Sequence, residues 1–108
     1  MTSTPARRQS PGQALAERLR PTLGNRDWLE RHRETLRVLF PPSWSRINDP
    51  DVQVRMGISL TMLGVEWHEP GELQLIIHWL HRLGMVELEP FVTPRGQQVL
   101  MVRRRRKG

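Results

Sequence analysis

A chain of 108 residues is one domain's worth of polypeptide, long enough to bury a modest core without staples. It has no cysteine, which excludes disulfides and thiolate metal sites, and no apolar run near the roughly 18 residues that span a bilayer. The net charge of +6 favours partners that carry negative charge. With no hydrophobic signal core at the N-terminus, a cytoplasmic protein that makes no membrane contact is expected.

Residues 1–9 are small, polar and basic without periodicity, and are expected to form a flexible basic arm. Ser10-Pro11-Gly12-Gln13 then reads as a helix start: Ser10 caps, Pro11 takes the first position and Gln13 can close a capping box. Leu15, Ala16 and Leu19 make a narrow apolar stripe that ends at Pro21. Asn25 can cap a stronger helix running through Phe40, with Trp28, Leu29, His32, Leu36 and Leu39 inward, and Pro41-Pro42 ends it. Asp49-Pro50 is a third cap-and-start pair, and Val52, Met56, Leu60 and Leu63 carry the helical period to Gly64. Gly57 and the β-branched residues weaken that helix.

After a turn over Val65 to His68, Pro70 opens a capped helix in which Leu73, Ile76, Ile77, Leu80 and Leu83 fall on one stripe, and Gly84 stops it. Val86 to Glu89 alternates apolar and charged residues like a half-buried strand, and Val99 to Val102 is β-rich enough to be its partner. Thr93-Pro94-Arg95-Gly96 between them suits a type I turn. The same segment followed by Val99-Leu100 also reads as a helix start, with Thr93 capping and Pro94 in the first position, so 93–102 is either a hairpin arm or a helix, and the hairpin is preferred.

The run Leu80-His81-Arg82-Leu83-Gly84-Met85-Val86-Glu87 resembles the junction of winged helix-turn-helix proteins, including regulators of the multiple-antibiotic-resistance type, where a recognition helix ends in leucine, glycine, a hydrophobic residue, valine and glutamate before the wing. The resemblance covers about a third of the chain and points to a superfamily. With the element order helix, helix, helix, turn, helix, hairpin, the expected fold is α+β and mainly α. It is a winged helix over 10–102 with an N-terminal helical extension and a C-terminal β-hairpin wing, followed by a basic tail over 103–108.

The charge is unevenly spread. Residues 1–40 hold eight Arg against four acids, 66–89 one Arg against five Glu, and 90–108 six basic groups and no acid. Opposite the apolar stripe of the Pro70 helix lie Gln74, His78 and Arg82, with Leu75 and His81 at the margins. In a major groove Arg82 suits guanine and Gln74 suits adenine. Arg95 at the wing turn and the run Arg103, Arg104, Arg105, Arg106 and Lys107 are candidates for phosphate contact, each neutralised phosphate releasing counterions. Against this, Glu66, Glu69 and Glu72 crowd the start of the helix, where they would repel phosphate, although they also stabilise its N-terminal dipole.

His78 and His81 are three apart on a helix, but His68 would lie roughly 15 Å from His78 and Glu72 points elsewhere, so no metal site is expected. No cofactor is implied either. No nucleophile elbow, phosphate loop or carboxylate pair of catalytic spacing occurs, and an enzyme is not expected. Trp28 and Trp79 read as core, whereas Trp44 and Trp67 fall in connections and suit core or interface equally. The expectation is therefore a small regulator of bacterial, phage or mobile-element origin that binds duplex DNA. A homodimer would use Trp28, the Ser10 helix or Trp44. The rival class is a winged-helix protein-interaction module, with possible RNA association, that docks through the acidic 66–89 surface.

Overall fold

The structure, a computed structural model, describes residues 10–106. Among these, the order is α1 (Pro11–Arg18), α2 (Arg26–Arg37), β1 (Ser45–Arg46), α3 (Pro50–Met62), α4 (Pro70–Arg82), β2 (Val86–Val92) and β3 (Gln98–Arg104). The α+β, mainly helical expectation holds. The expected arm over 1–9 and Lys107 lie outside the described residues.

Local chemistry sets most of the helix boundaries. Ser10 accepts from the Gln13 backbone while the Gln13 side chain accepts from Ser10, closing the capping box. Asn25 Oδ1 accepts from the Trp28 N–H, and Asp49 Oδ1 accepts from those of Asp51 and Val52. Glu69 makes no such bond, so the Pro70 helix is not capped by its own cap residue. Instead the Glu72 carboxylate accepts from the His68 N–H one residue further out, at 2.6 Å. Both α3 and α4 end in a Schellman arrangement. Gly64 and Gly84 take positive φ, 87° and 79°, and the N–H groups of Val65 and Met85 return to the carbonyls of Leu60 and Leu80.

The core gathers Leu15, Leu19, Leu23, Trp28, Leu36, Phe40, Met56, Leu60, Val65, Leu73, Ile76, Ile77, Leu80, Met85, Val86 and Val102. All four helices and the inner face of the sheet contribute to it. Trp28 is buried and stacks on His32 at 4.3 Å between ring centroids, which removes it as a dimer contact. Gly57 is not a defect in α3. The Trp67 ring packs its edge against it, and its Nε1–H donates to the Gly57 carbonyl and to Thr61 Oγ1. A Cβ at residue 57 would sit 2.7 Å from Trp67 Cζ2, so only glycine admits the ring.

The hairpin alternative for residues 93–102 is the one adopted. β2 and β3 pair antiparallel from Val86↔Arg104 to Val92↔Gln98, and the Gly96 N–H donates to Thr93 O across a turn in which Gly96 has φ 81°. β1, a strand the sequence did not announce, joins the other edge of β3 with Ser45↔Val102, giving the sheet order β1-β3-β2. β3 also runs two residues past the expected domain end, taking in Arg103 and Arg104.

Candidate nucleic-acid interface

Helix α4 presents two chemically distinct sides. Leu73, Ile76, Ile77 and Leu80 are buried, and α4 packs on α3 and β2. The opposite side exposes Leu75, His78, His81 and Arg82, with Gln74 half-buried. The Arg82 guanidinium lies 5.7 Å from the Trp79 ring centroid, a cation–π contact that leaves its N–H fork in solvent.

Of the glutamates at the start of α4, Glu72 is taken up by the fold, Glu66 meets a histidine at the surface and Glu69 is exposed. Glu72 turns toward α1, where both its oxygens accept from the Arg18 guanidinium, and only 13% of its side chain stays exposed. The hydrogen bonds from Arg18 hold the Glu72 carboxyl down to about 2, with the His68 backbone N–H assisting and partial burial opposing. Glu66 meets His68 Nε2 at 2.9 Å. Of the three acids that crowd this segment in the sequence, Glu72 is directed toward α1 and Glu66 and Glu69 stay exposed ahead of the helix, while the outward side of α4 over 73–82 carries no acid.

The C-terminal arginines behave differently. Arg103 is paired with Glu87 across the hairpin and lies over the Trp44 ring at 4.4 Å. Arg104 donates from Nε to Phe40 O at 2.9 Å and from Nη2 to Val38 O at 3.1 Å, holding the segment that follows α2. Arg105 donates weakly to Gly84 O at 3.5 Å, and its own carbonyl accepts from Arg37. Arg106 is exposed. Of the run read as a free tail, three members are tied to the fold.

Arg95 sits at the hairpin turn and shares a surface recess with Arg46, Thr93, Pro94 and Gln97. The site residues therefore fall into an α4 group of Gln74, His78, His81 and Arg82 and a hairpin-tip group of Arg95 with Arg46. Arg46 was not singled out from sequence, because its strand is only two residues long. Among the described residues, no group of three or more His, Cys, Asp or Glu is placed to hold a metal ion, and no helix is long and apolar enough to cross a membrane. Comparison with protein-family models, curated proteins and solved structures returned no match.

Proposed function

We propose that the chain is a winged helix that binds duplex DNA, with α4 as its recognition helix and the β2–β3 hairpin as its wing. The observation that carries this reading is the outward side of α4. A helix held by a fully buried inner stripe exposes a donor-rich, acid-free row, and Arg18 draws Glu72 away from it, while Glu66 and Glu69 stay exposed ahead of the first turn. Arg82 supplies a planar fork for guanine, Gln74 an amide for adenine, and His78 and His81 further donors along the same face. Arg95 at the hairpin tip and Arg106 after β3 add phosphate contacts, which position the protein without reading sequence.

Fluorescence anisotropy on random-sequence duplex in low salt, followed by selection of a preferred site, tests the reading. Arg82→Ala should weaken the selected site by about 1–3 kcal/mol and relax preference at one base pair. Absence of duplex binding in low salt would overturn the proposal.

A second reading has one specific observation in its favour. On α3, Val54, Ile58 and Met62 recur every four residues and are 61%, 58% and 81% exposed, an apolar row that duplex DNA does not need. A regulator that also meets a protein would use it. If duplex binding fails, the protein-interaction class becomes the better account.

A further inference from the structure

The side of the sheet turned away from the helices carries its own surface. The register puts Glu87, Glu89 and Phe91 of β2 beside Arg103, Met101 and Val99 of β3, with Arg46 of β1 next to Met101. Trp44, just before β1, reaches across this face. Its ring meets Phe91 edge-on, with centroids 5.6 Å apart and planes at 65°, and Arg103 covers it at 4.4 Å. Trp44 is absent from the packing around the main core, so this cluster is a separate construction on the outer face. Arg103 is itself held by Glu87. The row Glu87, Arg103, Trp44, Phe91 is therefore braced from one end, while Phe91 at the other end is 42% exposed.

Arg46, two residues after Trp44 and on the same face of the sheet, also lines a recess that reaches the hairpin turn. The recess is lined by Arg46, Thr93, Pro94, Arg95 and Gln97, holds no acid, and has a volume of about 370 Å³. Among the described residues neither Arg46 nor Arg95 is engaged by a carboxylate. The unpaired acid of this face is Glu89, opposite Met101, against two uncommitted arginines. A π-surface held in place by its neighbours, together with two free guanidinium groups in an acid-free recess, matches one chemistry: a planar base followed by a phosphate. Duplex DNA buries its base faces in the stack, so only an unpaired strand offers both.

We propose that the outer face of the sheet binds a single nucleic-acid strand, a base stacking on Phe91 and the adjoining phosphates lying against Arg46 and Arg95. This surface is independent of the outward side of α4. The site takes the chemistry common to DNA and RNA single strands, and the two are separated by experiment.

The test is anisotropy of the full chain with fluorescein-labelled dT10 and, in parallel, U10. Phe91→Leu keeps an apolar side chain against Trp44 but removes the ring, and should weaken binding roughly 5- to 100-fold, the loss expected for one stacked base. Arg46→Gln with Arg95→Gln should weaken it further and flatten its salt dependence. Arg82→Ala should leave it unchanged. Thermal melts of each variant report on folding, and Phe91→Leu, at a partly exposed position, should melt as the parent does. Stronger binding of U10 than dT10 would assign the site to RNA, and the reverse to DNA. Failure to bind either strand, or equal binding by Phe91→Leu and the parent, would overturn the proposal. Loss of duplex binding with dT10 or U10 binding intact would instead remove the α4 reading and leave this one standing.

Discussion

Helix α4 and the C-terminal arginine run both read from sequence as DNA-contacting elements, yet the fold employs them in opposite ways. The α4 helix commits its apolar stripe to the core and leaves its polar side free. The arginine run commits its first members to the fold: Arg104 to the Val38 and Phe40 carbonyls just after α2, Arg103 to Glu87 and Trp44, and Arg105 more weakly to Gly84. Charge density along a chain is therefore a poor measure of charge available to a partner. A lone arginine on a helix face can offer more than either of two consecutive ones in a strand, because pairing carries Arg103 and Arg104 to opposite faces of the sheet, where each finds a different acceptor.

The comparison breaks most easily at the base of α4. Leu80 is fully buried in the middle of the inner stripe. Leu80→Ala should cost roughly 2–5 kcal/mol in denaturant melts, through lost packing and the cavity left behind. A change near zero would mean that the stripe does not hold α4, and the free polar side would lose its support.

Arg104 is the corresponding probe of the arginine run. It donates two charge-assisted bonds to the Val38 and Phe40 carbonyls just after α2 and occupies the last paired position of β3. Arg104→Ala should cost about 1–3 kcal/mol of stability, a value typical of hydrogen bonds from charged groups. Arg82→Ala, with its guanidinium exposed, should shift stability by less than about 0.5 kcal/mol. Equal melting curves for Arg104→Ala and Arg82→Ala would erase the distinction between the two regions.

How far the sequence reveals each region follows from the range of the interactions involved. The caps at Ser10, Asn25 and Asp49, the stops at Gly64 and Gly84, and the stripe from Leu73 to Leu83 are local, and they are legible. The Arg18–Glu72 pair, which spans 54 positions, is not, and it turns one of the three acids at the start of α4 away from solvent. Gly57 reads as a weak point in a helix until Trp67 is seen lying on it. The strand character of Arg103 and Arg104 is hidden because arginine is no strand signal, and β1 is too short to show a period. The candidate surface on the outer sheet face was missed for the same reason, since Trp44 and Phe91 are 47 residues apart and meet only through the β1-β3-β2 order.

The Arg18–Glu72 pair sharpens the comparison through pH. The Glu72 carboxyl titrates at about 2 in the folded protein against an ordinary 4.5, so its contribution is fully present above about 4.5 and is lost as pH falls toward 2. Glu72→Gln should cost about 1–2 kcal/mol near neutrality. The gap between parent and variant should close between pH 4.5 and 2, and a gap that stays constant over that interval would show that the ion pair contributes nothing.

The smallest expected effect is the most discriminating for DNA. If all five charges of the run 103–107 met phosphates, each would add about −0.9 to the slope of log affinity against log salt. The structure predicts an uneven series instead. Arg103 already neutralises Glu87, so Arg103→Gln removes a cation and releases an anion within the same cross-strand pair. Removing residues 105–108 takes away Arg105, Arg106 and Lys107, and the guanidinium groups of Arg105 and Arg106 meet no carboxylate among the described residues. The truncation should therefore flatten the slope by up to about 3, with sequence preference intact, because phosphate contacts position the protein and base contacts specify. Arg103→Gln should leave the slope within about 0.5 of the parent, although affinity falls slightly as the unpaired Glu87 repels the backbone. The measurement is a salt series on one duplex with the parent, the truncation and Arg103→Gln. Equal flattening per charge in the two variants would mean that Arg103 leaves Glu87 to meet phosphate when DNA arrives, and the division between a committed Arg103 and a free α4 would then hold only for the unbound protein.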